Sequence, residues 1–109
     1  VGPDPPVPLA ATYSVGTNLL TVTFNLPLQP GFSAVHNWWH TTINGPPSVQ
    51  RNNAPAIIAG NTVAATMVNF MGGGPPSGTC RYAPPPFDVL NLPGNPAAAF
   101  DGFPTVNVP

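Results

Sequence analysis

The chain has 109 residues, the size of one domain able to bury its own core. Only 5% of them are charged, against about 25% in an ordinary soluble chain, and the formal net charge is −1. With no Lys and a charge set limited to Asp4, Asp88, Asp101, Arg51 and Arg81, composition gives no electrostatic ground for binding nucleic acid or an anionic membrane.

No apolar run approaches the roughly 20 residues of a membrane span. Cys80 is the single cysteine, so no intrachain disulfide can form. The chain opens on Val1 rather than Met, which fits a processed or truncated product and equally an incomplete chain. The 18 prolines and 11 glycines reach the range of low-complexity sequence, but they cluster between apolar runs, where turns tolerate them. So little charge suits a surface buried against copies of itself, against a shell or under glycans. A merely low-charge composition is the alternative.

Residues 1–8 hold four prolines and are expected to form an extended arm or linker, with the domain proper at 9–109. Leu9 to Tyr13 is a short strand, and Ser14 to Asn18 turns the chain into the stretch around which the rest is organised. There Leu20, Val22 and Phe24 alternate with Thr21, Thr23 and Asn25, the pattern of a half-buried strand. Pro27 and Pro30 end it. A turn or short helix near Ser33 precedes a strand around Trp39 to Ile43. Asn44-Gly45-Pro46-Pro47 stops that strand, and Ser48 to Asn52 supplies a short one. Ala56 to Phe70 is a hairpin turning at Ala59-Gly60-Asn61, with Val63, Ala65 and Met67 on one face. Residues 72–78 form a Gly-rich surface loop. Thr79 to Ala83 is a strand with Cys80 and Tyr82 on one face, stopped by Pro84-Pro85-Pro86. Phe87 to Pro96 is a connection whose Val89, Leu90 and Leu92 cover one end of the core. Ala97 to Val108 is the last strand, bent near Asp101-Gly102.

About seven short strands at roughly ten-residue spacing predict an all-β fold: an antiparallel immunoglobulin-like β-sandwich with a Pro-rich N-terminal arm. Leu20, Val22, Phe24, Ile58, Val63, Ala65, Met67, Cys80 and Tyr82 should point inward. A slip of one residue would turn this whole set outward.

Four short motifs stand in order along the chain. They are Leu20-Thr21-Val22-Thr23-Phe24 followed by Pro27-Leu28; Gly60-Asn61-Thr62-Val63; Tyr82-Ala83-Pro84-Pro85; and Gly94-Asn95-Pro96 before Ala97 to Phe100. Together they resemble a bacterial immunoglobulin-like family, the repeats of the cyanobacterial swimming-motility cell-surface protein. The chain departs from that pattern in carrying Leu26 where an acidic residue is usual, and in its Gly-rich loop and Trp38-Trp39 pair. The resemblance implies a structural module of an extracellular or particle surface, without catalysis.

Few residues invite chemistry. His36 and His40 could share a face and hold a metal, but no Cys or Glu lies nearby in sequence, and a polar surface pair is the plainer expectation. Asp88 and Asp101 are too few and too scattered for paired acid–base work, and turn capping is their default. Cys80, alternating with Tyr82, is expected as a small buried hydrophobe rather than a nucleophile. Gly72-Gly73-Gly74 lacks the Lys and Ser or Thr of a phosphate loop. No enzyme activity, cofactor or metal is therefore expected. Trp38 and Trp39 are the candidate binding residues: neighbours on a strand face opposite ways, so at most one can enter the core. The expected role is a repeated subunit of a surface layer, filament or virus-like shell, partnered by copies of itself or an adjacent structural protein. The alternative is an adhesion module using Trp38 or Trp39 against a glycan or protein. Either role places the chain outside the cell, at a cell surface or on a virion.

Overall fold

The computed structural model describes residues 4–14, 16–42, 49–71 and 78–108. They form nine strands: β1 Pro8–Ser14, β2 Leu19–Phe24, β3 Gly31–Ser33, β4 Trp38–Thr42, β5 Val49–Asn52, β6 Ala56–Ala59, β7 Thr62–Met71, β8 Gly78–Tyr82 and β9 Phe100–Val108. Among the described residues no helix is long and apolar enough to cross a membrane. The expected stop at 44–47 and most of the Gly-rich loop lie outside the described residues.

The alternation in β2 sets the register of the whole molecule. Leu20, Val22 and Phe24 are fully buried while Thr21 and Thr23 stay partly exposed. β2 pairs antiparallel with β1 on one edge, Tyr13 opposite Leu20, and with β7 on the other, Val22 opposite Val63. The inward set continues through Ile58, Val63, Ala65, Met67, Cys80 and Tyr82, all 3% exposed or less. The β6–β7 hairpin turns where Gly-Asn predicts. Within that turn only Gly60 has positive φ (60°), the pattern of a II′ turn with glycine at its first central position.

The expected sandwich is corrected by the way the edges meet. β7 is ten residues long and takes β2 along one edge; along the other it takes first β6 and then β5. β5 leads to β4, β4 to β8 and β8 to β9, and β9 returns to β1 through a parallel pairing, Thr12 opposite Val106 and Ser14 opposite Val108. The ring β1–β2–β7–β5–β4–β8–β9 is thus a closed seven-stranded barrel, with β6 and β3 forming a flap on β7. An immunoglobulin-like sandwich would keep two separate sheets; here β7 and β9 belong to both walls. Closure removes the edges that an open sheet leaves. Gly102 (φ 70°) and an irregularity opposite Arg81 let β9 bend from one wall to the other.

The barrel is filled, not hollow. Trp38, Tyr82 and Phe100 cluster toward one end, with Phe24 edge-on to Phe100 at 6.4 Å. Tyr13 and His40 stack at 4.3 Å and nearly parallel. The connection after β8 seals the side beside β3. Leu28 bridges to Asn91 and Leu90 to Pro96, and Val89 is fully buried. Leu92, expected to help cover the core, is 59% exposed instead. Residues 4–8 are seated on the barrel: Val7 N donates to the Asn25 side chain at Oδ1 (2.7 Å), Asn25 N donates back to Val7 O (3.0 Å), and Asn91 Nδ2 donates to Asp4 O (2.8 Å). The turn expected near Ser33 is present at 34–37, ahead of β4; what the sequence did not announce is the short β3 before it, which pairs Phe32 with Ile57 on the outside of β6.

Candidate functional site

β4 decides what the two tryptophans can do. Trp38 points inward and is fully buried. Its ring stacks on Tyr82 at 4.7 Å, its Nε1 donates to Ser33 Oγ (2.7 Å), and its backbone N donates to Asn52 Oδ1 (3.0 Å). No ligand can reach it without unfolding the core. Trp39 points outward and is half-buried, leaving it as the accessible member of the pair.

The cross-strand neighbours of Trp39 are Arg51 on β5 and Arg81 on β8. Their guanidinium carbons lie 5.7 Å and 5.9 Å from the indole centroid, within cation–π range. These two arginines are all the lysine and arginine the chain possesses. The indole is itself fixed, because Nε1 donates to the backbone carbonyl of His36 (3.0 Å), a residue held at φ 70°. The row continues to Val68 on β7, opposite Arg51. Two residues along, a second outward row runs Val49, Thr41, Thr79 and Pro104. Beside Arg81 a cleft of about 330 Å³ is lined by Tyr82, Ala83, Pro84, Ala99, Phe100 and Asp101. The Trp pair points to this wall, whereas the sequence alone does not single out Arg51 and Arg81. Their register against Trp39 would have been the signal, and it depends on which strands meet.

The remaining ionisable residues are placed by structure. Asp88 accepts hydrogen bonds from Ser33 Oγ (2.7 Å), Ala34 N (2.6 Å), Asn37 Nδ2 (3.3 Å) and Tyr82 OH (3.2 Å), while its own N donates to Tyr82 OH (3.1 Å). It caps the turn at 34–37 from across the fold rather than its own turn. Burial foremost pushes the Tyr82 hydroxyl up to about 12. Asp101 caps locally, its Oδ1 accepting from Gly102 N at 2.7 Å.

The histidines do not form the surface pair that their spacing left open. His36 is exposed in the turn, whereas His40 shares the inward parity of Trp38 and is 1% exposed. His40 Nε2 lies 3.1 Å from Thr105 Oγ1. Burial holds its pKa below the ordinary value, with the facing Gln50 working weakly the other way. Among the described residues neither His40 Nδ1 nor Gln50 Oε1 has a hydrogen-bond partner. Cys80 is buried and free, and burial pushes its thiol up to about 12. Among the described residues no three His, Cys, Asp or Glu side chains gather as a metal site. A further concavity of about 280 Å³ lies between the N-terminal segment and residues 91–93, where Asn91 is occupied in tying backbone groups. Comparison of the chain with protein-family models, curated proteins and solved structures finds no match.

Proposed function

We propose that this barrel is a non-catalytic structural module of an extracellular, cell-surface or virion surface, working as a repeated subunit that packs against copies of itself. One observation carries the proposal. The outward row Phe32, Ile57, Ala64, Thr21, Thr12 and Val106 crosses six strands without a charge. Phe32, Ile57 and Val106 are 71%, 57% and 64% exposed. β1, β2, β3, β6 and β7 contain no ionisable charge at all, so nothing on this wall repels a second copy or must be desolvated with it.

Sedimentation of the full chain tests this. Mass should rise with concentration and hold in about 0.5 M NaCl, because screening acts on charges and this wall has none. Phe32→Glu and Ile57→Glu should each shift the chain toward monomer without changing its unfolding midpoint by more than surface substitutions do. A strict monomer at all concentrations, or an assembly that salt dissolves, would refute it.

The opposite wall supports a second role, adhesion through Trp39. The observation in its favour is that both cations of the chain flank that one outward tryptophan.

A further inference from the structure

We propose that the Arg51–Trp39–Arg81 row binds an acidic polysaccharide, a glycan with carboxylate or sulfate groups repeated along its length. The inference rests on taking the Trp39 wall as a binding face. A bare tryptophan would stack a neutral sugar, but here each neighbouring strand brings a guanidinium against the indole. What the wall offers a ligand is two cations held by a fixed ring. Their guanidinium carbons cannot be further apart than the sum of the two centroid distances, a gap that charges on nearby sugar units can bridge.

Guanidinium suits this chemistry. It is weakly hydrated and presents a planar fork that pairs with carboxylate or sulfate through two parallel hydrogen bonds. Because the indole, anchored on the His36 carbonyl, restrains both side chains, less freedom is lost when a ligand binds. The surroundings suit a sugar backbone. Thr41 and Thr79 are cross-strand partners in the next row, with Val49 and Pro104 beside them, and the cleft next to Arg81 holds the Asp101 carboxylate, which can accept from sugar hydroxyls but turns the anionic groups of the ligand toward the Trp39 side.

Nucleic acid fits less well. Each phosphate contact releases counterions, and two contacts supply little of the electrostatic affinity on which such binding depends. The same count predicts modest salt dependence, a loss of up to about tenfold between 50 and 200 mM salt.

The test is affinity electrophoresis of the full chain in gels containing polygalacturonate, dextran sulfate, neutral dextran or single-stranded oligonucleotide. Retardation by polygalacturonate, by dextran sulfate or by both supports the proposal, and the pair of gels tells which anion is preferred. Arg51→Gln and Arg81→Gln should each weaken that retardation about fivefold or more, and Arg81→Lys should recover only part, since Lys keeps the charge but not the fork. A matched urea midpoint shows that each variant is folded. Equal retardation by neutral dextran, lost in Trp39→Ala, keeps the binding face but overturns the acidic ligand. No retardation in any gel overturns both. Tighter binding to the oligonucleotide than to either acidic glycan also overturns the proposal.

Discussion

Replacing Asp88 with alanine removes the acceptor of four hydrogen bonds at once, from Ser33 Oγ, Ala34 N, Asn37 Nδ2 and Tyr82 OH. Hydrogen bonds to a charged group contribute about 1.5–3 kcal/mol each, but donors sharing one acceptor are not additive. Ser33 and Asn37 are buried, and Trp38 Nε1 already donates to Ser33 Oγ, so its hydroxyl proton is left without an acceptor inside the core. A cost of about 3–5 kcal/mol follows, a large part of the roughly 5–15 kcal/mol that holds a domain together. With a urea slope of about 1–3 kcal/mol per molar, the unfolding midpoint should fall by about 1–5 M. Asp88→Asn keeps one carbonyl oxygen but turns an amide nitrogen toward a donor, so it should cost less, about 2 kcal/mol. Ser33→Ala combined with Asp88→Asn should cost less than the sum of the two, because they break the same bond. The measurement is urea denaturation followed by tryptophan fluorescence, since Trp38 lies on the network. Asp88→Ala within about 0.5 kcal/mol of the parent, at an unchanged slope, would refute the reasoning.

Two further outcomes follow from buried titratable groups. His40 binds its proton less readily folded than unfolded, so stability is whole above the unfolded value near 6.5 and falls below it, by up to about 1.4 kcal/mol per pH unit until the folded pKa is reached. Urea midpoints between about pH 7.5 and 5.5 should show that slope; His40→Gln should flatten it, and a parent profile already flat would count against a buried neutral imidazole. Cys80, 1% exposed with its thiol pushed up to about 12, should resist a thiol reagent near neutral pH and react only as the barrel opens. Stoichiometric labelling within seconds, without denaturant, would show that the thiol is reachable.

The inward set was legible because alternation specifies a face. Leu20, Val22 and Phe24 could sit only one way once Thr21 and Thr23 were left to the outside. Gly60 marked its turn for an equally local reason. Closure was not legible. Period 2 says which face of β7 is buried but not that its far edge divides between β5 and β6, nor that β9 returns beside β1 in parallel. β3 escaped because three residues hold no period, and its Phe32 faces out. His40 was open to being placed correctly: it is two residues from Trp38, so burying one on a strand buries the other. The Asp88 acceptor set and the Arg51–Trp39–Arg81 row join residues far apart in sequence, and only strand pairing brings them together.

The parallel seam between β1 and β9 has a mechanical meaning. Two parallel neighbours place residue 8 at one end of the pair and residue 108 at the other. Tension between those points drags the strands past each other along their length, so the seam resists as a unit instead of peeling one bond at a time. Under load its lifetime is governed by the unfolding rate rather than by equilibrium stability. A module pulled through these two residues would therefore hold as a stiff link, and proline at position 12 or 106, within the paired stretch, should lower the rupture force of a tethered chain.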